Sequence, residues 1–154
     1  RYSRMTLKLS IYLALCALLG VGALSCSAHG QGVGCDVVSI HDGDSIRCGS
    51  ERIRIAALDC AELNQPGGKE AREALERLLR GSTVTLKPIP QQIRQNHPRC
   101  LRPGFCDKFG RTVARVYAGP RDVARRLIAS GTCREYCRFS RSREQPTGKY
   151  GTCG

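Results

Sequence analysis

This chain is short of several things. It has no C-x-x-C pair, and His41 and His97 stand at no metal-ligand spacing. Those absences set a cysteine-rich sequence against zinc, whose ligands recur at short fixed intervals. Its longest apolar run, residues 11–24, falls short of the ~20 residues a helix needs to cross a bilayer. No stretch repeats, and 154 residues suit one domain with a real core. Acid is scarce: 13 Asp and Glu stand against 25 Lys and Arg, a net charge of +12. That excess favours a polyanionic partner, with solubility alone as the bland alternative.

What is present begins with a targeting signature. Arg1, Arg4 and Lys8 precede the apolar run, and the small residues Ser25-Cys26-Ser27-Ala28 follow it. This is the order of a secretory signal peptide over residues 1–28, with cleavage expected near Ala28 or Gly30. Ala23-Leu24-Ser25-Cys26 resembles a lipoprotein box with its Leu misplaced, so lipidation is the alternative. The first 28 residues carry three cations and no acid, which leaves +9 beyond them. Of ten cysteines, eight lie past the signal: Cys35, Cys48, Cys60, Cys100, Cys106, Cys133, Cys137 and Cys153. An even set in a small exported domain reads as a disulfide framework and places the mature protein outside the cell or in the periplasm. Cys100–Cys106 suits a loop staple and Cys35–Cys48 a bridge across the first hairpin; the other pairings stay open.

Residues 37–62, VVSIHDGDSIRCGSERIRIAALDCAE, organise the rest. A first strand (35–40) enters the turn Asp42-Gly43-Asp44, where Gly tolerates the backbone a tight hairpin needs. A second strand (45–48) and a third (52–58) follow. Asp44 and Asp59 then sit at neighbouring strand ends, Glu62 three residues further on, and Arg54 inside the third strand. On that strand Ile53, Ile55 and Ala57 share one face and Arg54 takes the other. Carboxylates converging beside an arginine suit a hard cation that holds a phosphate.

Beyond lies a loop (63–69), then a helix over 70–80 with Ala71, Ala74, Leu75, Leu78 and Leu79 on one face and Gly81 as its stop. A fourth strand (83–89), a long basic loop (90–108), a fifth strand (112–118) and a helix (122–130) closed by Gly131 complete the domain. Pro146 and Gly148 argue against a long helix in the basic, cysteine-containing tail, 141–154. The order predicts an α+β fold: a β-barrel with helices, a five-stranded OB-fold over residues 33–140.

The run DGDS…RIRIAALDCAE, followed downstream by Asp107-Lys108-Phe109-Gly110-Arg111, resembles the staphylococcal nuclease (thermonuclease) family over about residues 35–139. The resemblance implies that family's OB-fold. It implies Ca²⁺ held by Asp44, Asp59 and the backbone carbonyl of Cys60, where the family usually has Thr. It assigns Glu62 as the base or water-orienting carboxylate, and Arg54 and Arg111 as phosphate clamps. Lys108 becomes a secondary phosphate contact, while Tyr136 and Phe139 stack on a base or sugar. Arg134, Arg138, Arg141 and Arg143 add electrostatic attraction. Ser45 replaces a usual Thr, and Cys60-Ala61 replaces a usual Thr-Pro; Ala61 loosens the metal loop unless a disulfide at Cys60 restores its stiffness.

The expected protein is therefore an exported, monomeric, calcium-dependent nuclease. It acts on DNA and RNA with single strands preferred, cleaves P–O5′ bonds and leaves 3′-phosphates. It has no membrane span once its signal is removed. One rival is a non-catalytic OB-fold that binds nucleic acid at the cell surface. Another is a disulfide-rich structural or interaction protein whose charge serves solubility.

Overall fold

A computed structural model describes residues 32–91, 97–140 and 147–154. The expected signal segment 1–28 and its lipoprotein alternative, residues 92–96 of the basic loop, and Arg141, Arg143 and Pro146 lie outside the described residues. No helix among those described is long and apolar enough to cross a membrane.

The five expected strands are present as β2 (Val37–Asp42), β3 (Ser45–Cys48), β4 (Glu51–Ile55), β6 (Val84–Pro88) and β7 (Thr112–Ala118). Four two-residue strands join them: β1 (Val33–Gly34), β5 (Leu58–Asp59), β8 (Arg121–Asp122) and β9 (Arg134–Glu135). The main sheet runs β1-β6-β7-β4-β3-β2, with β8 on β7. All its pairings are antiparallel except β4 with β7, the parallel contact that an OB topology requires of its third and fifth strands. β1 and β2 are one run of chain: its start pairs with β6, Cys35 N–H donates to the Val84 carbonyl, and the remainder pairs with β3. The sheet thus curls back on itself. It is an OB-fold-like α+β architecture.

Alternation fills the interior. Ile46, Ile53, Ile55, Leu86, Ala114 and Val116 turn inward and are buried. Helix α1 (Gly68–Leu79) covers one opening with Ala71, Leu75 and Leu79, as its apolar spacing predicts. Helix α2 (Val123–Ala129) adds Val123, Ala124 and Leu127; the Asp122 side chain caps it by accepting the Arg125 N–H at 3.1 Å. A single turn, α3 (Cys137–Ser140), follows β9.

The third strand departs from expectation. It leaves the sheet after Ile55, and Ala57 takes a left-handed φ of 59°. Ala57 therefore does not continue the face of Ile53 and Ile55. Leu58–Asp59 turns away to pair with β9 instead, which buries Leu58 completely. A buried leucine and two ladder bonds oppose the αL cost at Ala57, ~1–2 kcal/mol for a residue with a Cβ.

All eight cysteines of the described residues are paired: Cys35–Cys48, Cys60–Cys133, Cys100–Cys106 and Cys137–Cys153. The hairpin bridge and the loop staple match expectation. Cys60 is tied to the end of α2, the disulfide that the Ala61 departure calls for. The C-terminal residues dock through the buried carboxylate of Glu135, which accepts from the Ser140 hydroxyl, the Tyr150 N–H (2.8 Å) and the Thr152 N–H (3.1 Å) and hydroxyl. Those donors hold its carboxyl below the usual range against the opposing effect of burial.

Candidate nucleic-acid cleavage site

The Asp42-Gly43-Asp44 turn sits hard against the third-strand exit. A Cβ on Gly43 would come within 3 Å of the Cys60 side chain and of Ala71 Cβ, so only glycine fits between the disulfide and α1. The Asp42 carboxylate accepts the Asp44 N–H at 3.1 Å, an Asx turn that aims Asp44 inward.

Asp44 is 8% exposed. Its Oδ2 accepts from Arg54 (3.1 Å) and from the Cys60 N–H (3.3 Å), and its Oδ1 from the Ser45 hydroxyl (3.1 Å). Burial pushes its carboxyl up to about 6, Asp42 adds to the rise, and Arg54 and the hydrogen bonds oppose it. Arg54 leaves β4 on the outer side, as alternation predicts, and also donates to the Ile55 carbonyl at 2.8 Å. Arg111 precedes β7. Asp107 holds its guanidinium through Nε and Nη2, both at 2.8 Å, and its Nη1 reaches the Ser45 hydroxyl at 3.4 Å. Ser45 thus links Arg111 to Asp44, and Asp44 links on to Arg54.

The other predicted residues stand less firmly. Glu62 is exposed; its backbone N–H donates to the Gln65 side chain, and it lines one groove with Asp42, Ser45 and Arg111. Asp59 is paired with Arg134 at 2.8 Å, so Arg134 serves this carboxylate rather than a diffuse field. Cys60 hands its N–H to Asp44 while its side chain is fixed to Cys133. Lys108 and Arg111 lie 4.9 and 5.4 Å from the centre of the Phe109 ring. Tyr136 donates its N–H to the Ala57 carbonyl and carries Arg54 5.9 Å from its ring centre. Phe139 meets Tyr136 edge-on at 5.1 Å and is 69% exposed.

Among the described residues no three His, Cys, Asp or Glu side chains form a cluster able to hold a metal by themselves. The donor chemistry still fits a hard cation. Asp44, Asp59 and the Cys60 carbonyl are all oxygen donors, and the raised Asp44 carboxyl, beside Asp42, has less positive charge around it than its burial demands. Two residues of this neighbourhood carried a signal that was not read, Ser45 as a bridge and Asp107 four places before Arg111, whereas Asp42 is the turn residue expected from the Asp-Gly hairpin.

Comparison with known proteins places the chain in a family. Residues 52–151 match the staphylococcal nuclease homologue family. The span contains Arg54, Asp59, Cys60, Glu62, Lys108, Arg111, Tyr136 and Phe139, and Asp44 lies just before it. No curated protein matches the chain. A domain of this family points to nuclease or nucleic-acid-binding function and to a nucleic-acid partner. With the family's motifs over most of the described chain and an OB-fold beneath them, the protein belongs to the staphylococcal nuclease homologues.

Proposed function

We propose that this protein is an exported, calcium-dependent phosphodiesterase that cleaves DNA and RNA, prefers single strands and leaves 3′-phosphates. The observation that carries the reading is the bonded series Arg111–Ser45–Asp44–Arg54, of which Ser45 and Arg111 line a groove with Glu62. A calcium ion held by Asp44, Asp59 and the Cys60 carbonyl would neutralise a phosphate oxygen and lower the cost of deprotonating water.

The chain's own residues supply the rest. Arg54 and Arg111 bind the scissile phosphate; the long Arg111–Ser45 contact is the one a phosphate oxygen displaces. Glu62 orients a water in line with the P–O5′ bond and takes its proton. The new P–O bond forms as the 5′-oxygen leaves and is protonated by solvent. Lys108 steadies a neighbouring phosphate, and Tyr136 and Phe139 stack on the unpaired base or sugar, which a stacked duplex withholds. Four disulfides support an oxidising location, secreted or periplasmic.

The test is a digest of heat-denatured DNA by oxidised protein from His29 onward, with calcium or with excess chelator. Cutting that needs calcium is expected. DNA retarded on a gel yet never cut would instead favour a binding module.

A further inference from the structure

The outer face of β6 and β7 carries a second basic surface. Strand alternation places it there. Leu86 and Val116 pair across the two strands and are buried inside, so their neighbours Lys87 and Arg115, which also pair, point outward. Tyr117 shares that face two residues on, with Lys87 Nζ 5.3 Å from its ring centre. The C-terminal residues lay Tyr150 alongside. Arg125 stands 5.6 Å from the Tyr150 ring centre, and its hydroxyl donates to Asp122. Asp122 in turn pairs with Tyr117 across β8 and β7, which ties Tyr150 to this face.

Three cations and two rings therefore interleave. Among the described residues no carboxylate pairs with Lys87, Arg115 or Arg125, whereas Arg54, Arg77, Arg80, Arg102, Arg111 and Arg134 all have one. Like charges directly opposite in a sheet are destabilising, so the fold gains nothing from setting Lys87 against Arg115. The surface is continuous with the site. In the parallel β4–β7 register Arg54 stands beside Val113, on the same outer face, and Arg115 and Tyr117 follow along β7 over about 13 Å.

We propose that this face is a strand-binding track. Lys87, Arg115 and Arg125 hold the phosphates of a single-stranded nucleic acid beyond the scissile bond, and Tyr117 and Tyr150 set the cations in place and offer apolar contact to its bases. The proposal rests on the nucleic-acid reading above, not on cleavage.

The test is binding, measured in a Glu62→Gln background so that the oligonucleotide survives. Fluorescein-labelled oligothymidylates of four and twenty nucleotides are titrated against that protein and against the same protein carrying Lys87→Gln, Arg115→Gln and Arg125→Gln. The triple variant is expected to lose about 10- to 100-fold in affinity for the 20-mer, with its salt slope shallower by about 2, and under threefold for the 4-mer. Equal losses for both lengths, or none, overturn the proposal. So does a variant that loses binding only to vesicles of anionic phospholipid. Lys87→Gln alone guards against misfolding: it is expected to raise Tm while weakening 20-mer binding, and a lowered Tm with unchanged binding makes the pair structural. A wild-type protein that binds but never cuts sinks the nuclease reading and leaves the track standing; one that cuts, with the triple variant unaltered, does the reverse.

Discussion

The two halves of the candidate site are built by different means. Asp44, Ser45, Arg54 and Arg111 stand on or beside sheet strands, partly or fully buried, and each is held by a hydrogen bond to another of the four. Asp59, Cys60 and Glu62 lie past the αL turn at Ala57, on chain that has left the main sheet, held by a disulfide, a two-residue ladder and one exposed ion pair. The half proposed to bind phosphate is thus set by the main sheet. The half that carries the proposed base is held by separate fastenings, and its end, Glu62, is exposed. Rigidity belongs where a phosphate must be gripped by fixed forks, and freedom suits a carboxylate that must meet a water and a proton.

The comparison can be broken, starting with its largest effect. Glu62→Gln is expected to lower the cleavage rate of denatured DNA by about 10²–10⁴-fold while oligonucleotide affinity changes little. A variant with full activity would refute the assignment. Replacing Cys60 and Cys133 together by Ser should cost about 2–5 kcal/mol in urea unfolding and weaken calcium binding by calorimetry. If stability falls and calcium affinity holds, the Arg134–Asp59 pair and the β5–β9 ladder fix the loop, and the disulfide only secures the fold.

Asp44 sharpens the other half. Its folded carboxyl lies near 6 against an ordinary 3.8, so the folded state binds the proton more tightly. Without metal, that contribution to stability is complete below pH 3.8 and is lost as pH rises through about 6, on the order of 3 kcal/mol. Thermal melts in chelator should show this decline, and Asp44→Asn should flatten it. The smallest change is Ala57→Gly, which relieves the left-handed turn; it is expected to raise stability by about 1 kcal/mol. A loss would mean that glycine's extra freedom in the unfolded chain outweighs the relief.

What could be read from sequence follows the same division. Alternation in β3, β4, β6 and β7, the Asp-Gly hairpin and the helix spacing of Ala71, Leu75 and Leu79 are local signals, and they placed the barrel, α1, and Arg54 on its outer side. The Ala57 break was missed because its cause is remote: Leu58 and Asp59 pair with Glu135 and Arg134, some 75 residues away. No local pattern marks such a ladder. Cys60–Cys133 spans 73 residues and was equally hidden, whereas Cys35–Cys48 and Cys100–Cys106 bracket short turns and could be paired by eye. Arg111 was found by its motif, but its orientation by Asp107 and Ser45 depends on β4 pairing with both β3 and β7, which brings Ser45 within reach of the residue before β7.

The curl of the sheet has its own consequence. Among the described residues one run of chain, pairing first with β6 and then with β3, joins the two ends of the main sheet, and Cys35–Cys48 rivets it to one neighbour alone. A protease that clipped between Gly34 and Cys35 would leave β2 riveted and free the other seam. The bared rim of β6, with Val84 and Leu86 behind it, is then a template for a strand from a second molecule. Trimming at that point would thus trade a covered sheet edge for one open to edge-to-edge pairing.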